Sequence, residues 1–361
     1  LSEAVQTSFD NFWENKPAPD GIGVQDHYAA LWQHLANRYK DNPTVIGYDL
    51  MNEPFPGSKA LEATASLLNQ YGKLVYLETG EVMKPEEVAA VWADESSRTE
   101  ALKLMGTAES YAYVIDTLYQ LNQKFEIENL QPMYQKVANS IREVDQSHIL
   151  FLEHSYYSNT GVKTSIQRVN LPDGSPDPNV AYAPHAYDLV TDTKAAAASS
   201  NERLSLIFER VAESGNLLGL PVWLGEWGAY YSHAGGIVDV ARNSVSLIEK
   251  HLMGHAYWSY NAGTEEQEYF QHALLRPYPA FTNGELVNYS YDYMSAEFSL
   301  SWIEQESNNN PTVIYIPWVS KLELDQLEEA NLEMIENSDA GWLVIPASGS
   351  SDTRQLSLQF N

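Results

Sequence analysis

The run T-V-I-G-Y-D-L-M-N-E-P at Thr44–Pro54 decides how the chain is read. Thr44, Val45 and Ile46 suit a buried strand, and Pro54 has no N–H with which to continue one, so the strand is expected to stop at Asn52 and Glu53. In a parallel α/β barrel that point lies on the C-terminal face, where catalytic side chains gather. Glu53 is then a candidate acid or nucleophile. Read alone, it is equally a solvated carboxylate closing a strand.

The flanking sequence favours the parallel sheet. Asp26–Lys40 carries a helical stripe of Tyr28, Leu31, Trp32, Leu35 and Tyr39, with Asp26 as N-cap. Downstream, a helix opening at Pro132 and running to 144 leads to strands 148–154 and 180–187. Helix 201–214, strand 221–227, helix 236–252 and strand 255–261 follow. Strand and helix alternating in this order imply parallel strands with crossover helices. Residues 58–129 interrupt the pattern with helical stretches at 60–71, 85–92 and 99–125. A connection of that length after a catalytic strand end reads as a lid or groove wall. Beyond about residue 275, β-like runs at 286–291, 297–302, 312–317, 342–346 and 355–360 alternate with polar turns, which implies a small β-sandwich. The expected domains are a catalytic barrel portion over 1–275 and a sandwich over 276–361.

Four strand ends carry reactive groups: Asn52 with Glu53, His185 with Tyr187, Glu226, and Trp258. Two carboxylates on different strand ends of one barrel face are the minimum kit for glycoside hydrolysis, retaining or inverting. One is protonated to donate to the leaving oxygen, and the other is ionised. His185 and Tyr187 are suitable donors, and Trp258 is a platform for a sugar ring; each is also an ordinary core residue. Glu226, between Gly225 and Trp227 at the end of an apolar strand, is harder to explain as structural, because a buried carboxylate without a partner is costly.

The motifs M-N-E-P, P-H-A-Y, L-G-E-W-G and W-S-Y-N, in that order, resemble family 5 glycoside hydrolases of the retaining (β/α)8 clan. Y-D-L-M-N-E-P-F-P-G at 48–57, F-D-N-F-W at 9–13, the insertion after the NEP strand and the C-terminal sandwich are most similar to the endoglycoceramidases. The resemblance implies cleavage of the glycan–ceramide bond of glycosphingolipids through a covalent glycosyl-enzyme. Glu53 would be the general acid/base and Asn52 would hold the sugar 2-hydroxyl. Glu226 would be the nucleophile, oriented by Tyr187, with His185 lining the subsite and Trp258 under the ring. No metal or cofactor is implied, and no H-E-x-x-H, phosphate-binding Gly loop or G-x-S-x-G is present. A β-glucosidase or endo-β-glucanase on the same scaffold and a non-catalytic sugar-binding pseudoenzyme are the alternatives. Tyr230, Tyr231, Ile237 and Val238 are candidates to line an apolar groove.

The resemblance also exposes a shortfall. Five strands follow from Thr44 onward, whereas a (β/α)8 TIM barrel has eight and the family's NEP strand is its fourth. The expectation is that the first three βα units are absent from this chain, and that an N-terminal segment or a second chain completes the barrel.

Composition sets the outer limits. With 44% hydrophobic and 19% charged residues the chain is globular. Its net charge of −28 repels nucleic acid and anionic membranes and argues against both as partners. Zero Cys excludes disulfides and thiolate chemistry. No apolar segment is long enough to span a bilayer. Leu1 is not an initiator Met, so a processed or incomplete product is expected and the absence of a targeting segment means little; the expected location is secreted or extracellular.

Overall fold

The computed structural model describes residues 2–191, 193, 195–230, 236–323 and 330–361. They pack as two compact units: residues 1–229 with 254–258, and residues 230–253 with 259–361. Packing therefore divides the chain differently from the sequence boundary at 275/276. Helix Ile237–Lys250, expected as a barrel crossover, belongs to the second unit.

In the first unit, β1 (Gly47–Asp49), β2 (Ile149–Leu152) and β3 (Val180–Tyr182) form a parallel ladder in sequence order. The third strand then breaks at Ala183-Pro184 and resumes as β4 (His185–Ala186). The fourth breaks likewise at Gly225, giving β5 (Trp223–Leu224) and β6 (Glu226–Trp227). Tyr182 bridges Val222, β4 pairs with β6, and β5 pairs with β7 (Gly254–His255), all parallel. The N–H of Trp258 continues that last ladder by donating to Trp227 O at 3.0 Å. Five strand regions thus lie side by side in chain order, with Glu53, Glu153, His185, Glu226 and Trp258 at one rim.

The first strand is shorter than expected. Thr44–Ile46 lies outside it; Thr44 N–H instead donates to Asn42 Oδ1 at 3.0 Å. Ile46 is 60% exposed, because β1 pairs with β2 alone among the described residues. Helix Val24–Tyr39 begins at Gly23 rather than Asp26, whose carboxylate accepts from Asn15 and Lys136. The stretch read as one helix over 99–125 is divided: Glu95–Leu104, then Ala108–Ile115 capped by the Thr107 hydroxyl, then Tyr119–Phe125.

The second unit contains the sandwich. One sheet orders β14 (Thr353–Gln359), β10 (Glu297–Glu304) and β9 (Gly284–Asp292). The other orders β12 (Asn331–Met334), β13 (Gly341–Ile345), β11 (Thr312–Ile316) and β8 (Tyr278–Phe281). Alternation buries Phe298, Leu300, Trp302, Ile314, Ile316, Leu343 and Leu358 between them. Helix Ile237–Lys250 is tied on by Glu249, which pairs with Arg276 at 2.6 Å and accepts from Tyr291 N–H at 3.2 Å.

A buried guanidinium fastens two strands of the first unit below its rim. Arg142, at the end of helix Gln131–Arg142, pairs with Asp177 at 2.6 Å and donates to the carbonyls of Asp145, His148 and Asn179 at 3.0–3.1 Å. These groups lead into β2 and β3, so one guanidinium sets where both strands start. Replacing Arg142 with Leu leaves Asp177 buried and unpaired and is expected to cost about 3–5 kcal/mol in urea unfolding; a loss near zero would show that the clamp does not hold the sheet.

Candidate active site

The rim of the parallel sheet brings together side chains that the sequence separates by up to 205 residues (Glu53 to Trp258). The local backbone explains why they converge. Glu53 has φ +44° and Ala229 φ +53°, both left-handed and non-Gly, a conformation that costs roughly 1–2 kcal/mol. Strain of this kind is held only where the surroundings enforce it. At Glu53 the enforcing bond is visible: its N–H donates to Glu153 Oε2 at 2.7 Å. At the neighbouring turn, Gly228 has φ +96°, and a Cβ there would lie 2.3 Å from the Tyr257 ring.

His185 is the hub. Its ring is 1% exposed, and Nδ1 lies 3.0 Å from Glu53 Oε1 and 3.4 Å from Glu226 Oε2. On the far side, Nε2 lies 3.2 Å from Glu153 Oε1. Burial opposes charge on the imidazole, but Glu153 and Glu53 outweigh it and push its pKa up to about 10. A Cβ on residue 225 would sit 3.3 Å from this ring, which is why Gly occupies that position.

The two carboxylates expected to react are adjacent. One oxygen of each, together with the His185 nitrogen, lies within 4.8 Å of the others. Glu53 Oε1 also accepts from Asn159 Nδ2 at 2.8 Å, and Glu226 Oε2 accepts from Tyr187 Oη at 2.9 Å. Burial raises the Glu226 carboxyl above its ordinary range, against the His185 charge and the Tyr187 hydroxyl. These three groups are also spaced to share a cation, but the oxygens and nitrogen it would use are already engaged with one another.

Asn52, Glu53, Tyr187, Glu226 and Trp258 all line one cavity of about 560 Å³, with Asn159 and Asp188 among its other walls. Trp258 is 48% exposed and open to a ligand. His185 was expected to line this cavity; it lies beneath, behind the carboxylates. Asp188 is fixed by Arg203, whose guanidinium also donates to the Leu102 and Met105 carbonyls of the insertion at 3.0 and 3.2 Å. Thr160 and Leu189 are shared with a second, apolar cavity of about 240 Å³ walled by Leu67, Leu68, Tyr71, Trp92, Met105 and Leu118. The Trp92 Nε1–H has no partner among the described residues. Of the groove residues read from sequence, Tyr230 and Ile237 are buried within the second unit, and Tyr231 lies outside the described residues.

Four polar groups of the site were not singled out from sequence: Asp49, Glu153, His154 and Asn159. Glu153 carried a signal, since it closes the apolar run I-L-F-L as Glu226 closes V-W-L-G. His154 and Asn159 extend the network: His154 Nε2 meets Asn159 Oδ1 at 3.0 Å, and its Nδ1 meets Tyr182 Oη at 2.7 Å.

A family model described as cellulase (glycosyl hydrolase family 5) matches residues 7–264, and one described as glycoside hydrolase family 5 C-terminal domain matches residues 276–353. An endoglycoceramidase of Hydra vulgaris is 26% identical over 153 residues, covering 42% of this chain and 18% of that protein. The chain thus matches less than a fifth of the curated relatives' length. Endo-glycoceramidase II from Rhodococcus sp., solved with a five-membered iminocyclitol, is similar with a TM-score of 0.67 and 22% identity over 99% of this chain and 69% of that one. Cryptococcus neoformans sterylglucosidase 1 is similar with a TM-score of 0.60 and 15% identity, covering 99% and 71%. These structural likenesses show the fold.

Burial, and next the His185 charge, drive the His154 pKa from 6.5 down to about 3, so it stays neutral when folded. The unfolded chain then binds a proton that the folded one refuses, and stability is lost as pH falls from 6.5 toward 3. Urea midpoints across that range should fall less steeply in His154→Gln than in the parent; equal slopes would sink the assignment.

Proposed function

The chain belongs to glycosyl hydrolase family 5, and on that premise we propose that it is a retaining β-glycosidase that releases a glycan from a lipid aglycone, the glycan–ceramide bond of glycosphingolipids being the favoured substrate. The observation that carries the stereochemistry is the approach of Glu53 and Glu226 within 4.8 Å. Inverting enzymes keep their carboxyls about 6.5–9.5 Å apart to admit a water, and retaining ones about 5–5.5 Å.

Two carboxylates this close share one proton more readily than they ionise together. The retaining reaction needs Glu226 ionised and the proton on Glu53, and the Tyr187 hydroxyl, donating to Glu226, favours charge there. In the first step Glu226 attacks the anomeric carbon while Glu53 protonates the glycosidic oxygen, so the aglycone leaves as an alcohol. In the second, Glu53 takes a proton from water, whose oxygen displaces Glu226 and releases the glycan. Asn52 lines the same cavity and would hold the sugar 2-hydroxyl, and the half-exposed Trp258 would stack on a ring.

Support for a lipid aglycone comes from the cavity in the insertion. It is almost wholly apolar, and it shares Thr160 and Leu189 with the carboxylate cavity. A β-glucan needs sugar-binding polar groups on both sides of the cleavage point; an acyl chain needs none. The names of the Hydra and Rhodococcus proteins agree with this reading.

We also propose that βα units outside residues 1–361 close the barrel. β1 and β7 each have a neighbour on one side only among the described residues, and an open strand edge with unpaired N–H and C=O groups invites pairing. The native protein's intact mass and N-terminal sequence test this. A species starting at Leu1 with nothing co-purifying would overturn it.

For the activity, we expect intact oligosaccharide from a ganglioside or glucosylceramide and little product from a β-glucan. A mechanism-based glycosyl label should attach at Glu226. Glu53→Gln should lose about 10²–10⁴-fold in rate on a lipid glycoside and far less on an activated aryl glycoside, which needs no acid. Sugar binding without label or turnover would favour the pseudoenzyme, and preferential β-glucan cleavage would favour the glucanase.

A further inference from the structure

The proposed reaction uses Glu53, Glu226 and their donors but leaves unexplained a third carboxylate, which is 0% exposed and lies directly behind them. Glu153 closes β2 and points into the sheet rather than into the cavity, which it does not line. An ionised carboxylate has no reason to be there unless it is paired on both oxygens. Oε2 accepts the Glu53 N–H at 2.7 Å, and Oε1, which makes no hydrogen bond among the described residues, lies at ion-pair distance, 3.2 Å, from His185 Nε2.

We propose that Glu153 is a positioning residue of the active site, one oxygen holding Glu53 in its left-handed backbone conformation and the other keeping His185 as an imidazolium. This rests on the retaining-glycosidase reading, and deepens it by naming the group that sets the charge between the two reacting carboxylates. With Nε2 committed to Glu153, His185 presents Nδ1–H toward both Glu53 and Glu226, at 3.0 and 3.4 Å. A neutral imidazole has one N–H, and Glu153 would compete for it. Only the charged ring serves Glu153 and the reacting pair at once.

The groups facing His185 are consistent with this. Glu53, Glu153 and Glu226 favour its charge, whereas His154, behind it, stays neutral and adds no repulsion. Tyr187 meets the ring edge-on, with centroids 6.3 Å apart. Desolvation, and next the Glu153 charge, push the Asp49 carboxyl up to about 8.

Glu153→Gln separates the duties, because the amide oxygen can still accept the Glu53 N–H but the charge is gone. Histidine ¹⁵N NMR on the parent should show His185 doubly protonated through about pH 8, and in Glu153→Gln its titration should fall by about one unit or more. On a lipid glycoside the variant should lose about tenfold or more in kcat with KM within about twofold, and the alkaline limb of its pH profile should move to lower pH. A neutral His185 at pH 7 in the parent, or an unchanged titration and kcat in the variant, would overturn the proposal. If the variant does not fold, the parent titration decides alone. If the parent cleaves no glycoside, the functional reading fails while the NMR result still judges the role of Glu153.

Discussion

A buried imidazole between carboxylates from three different strand ends is the interaction on which the rim depends. Parallel strands in chain order send their C-terminal ends to one side, and here each of three ends delivers an acid: Glu53, Glu153 and Glu226. Left to themselves these charges would repel by several kcal/mol at the low effective dielectric of a sheet interior. His185, on the strand between those of Glu153 and Glu226, is within 3.4 Å of all three. Breaking the third strand at Pro184 and the fourth at Gly225 is part of the same arrangement. Pro184 gives up a ladder N–H, its carbonyl accepts from Gly225 N–H at 2.9 Å, and Gly225 leaves room for the ring.

This also explains what could be read from the chain. Glu53 and Glu226 were legible because each is a charged residue stopping an apolar run beside a Pro or a Gly, and because both face the cavity. The order of strands was legible from alternation alone. Strand lengths were not, since β-branched residues at Thr44–Ile46 signal burial only if a neighbour covers them, and among the described residues none does. Glu153 showed the same apolar-run signal, but its task is internal to the network and no spacing rule announces that. The division of residues 99–125 by Gly106 and Thr107, and the packing of helix 237–250 with the sandwich, are tertiary outcomes that periodicity cannot express.

The insertion couples the polar and apolar cavities through few atoms. Asp188 walls the first, and the Arg203 that fixes it also takes the Leu102 and Met105 carbonyls, Met105 being a wall of the second. A shift of the insertion would therefore move both the polar wall and the apolar one. For a substrate with a sugar at one end and a chain at the other, such a linkage lets binding energy from the remote apolar part act on the geometry of the reacting bond.

The charge count at the rim gives the network its logic for the proposed reaction. With His185 an imidazolium beside Glu153, as proposed, those two charges cancel, and the retaining reaction requires Glu53 and Glu226 to carry one negative charge between them. When Glu226 becomes a glycosyl ester its charge disappears, and Glu53, having given up its proton, acquires one. The total is unchanged, and the charge has moved across less than 4.8 Å. An imidazolium whose Nδ1 lies 3.0 Å from one oxygen and 3.4 Å from the other can follow that movement with hardly any displacement. A freely tilting ring, or one that lost its proton midway, could not. Fixing the ring from behind by a carboxylate that never meets substrate satisfies both conditions at once, and it requires that this carboxylate be as buried as Glu153 is.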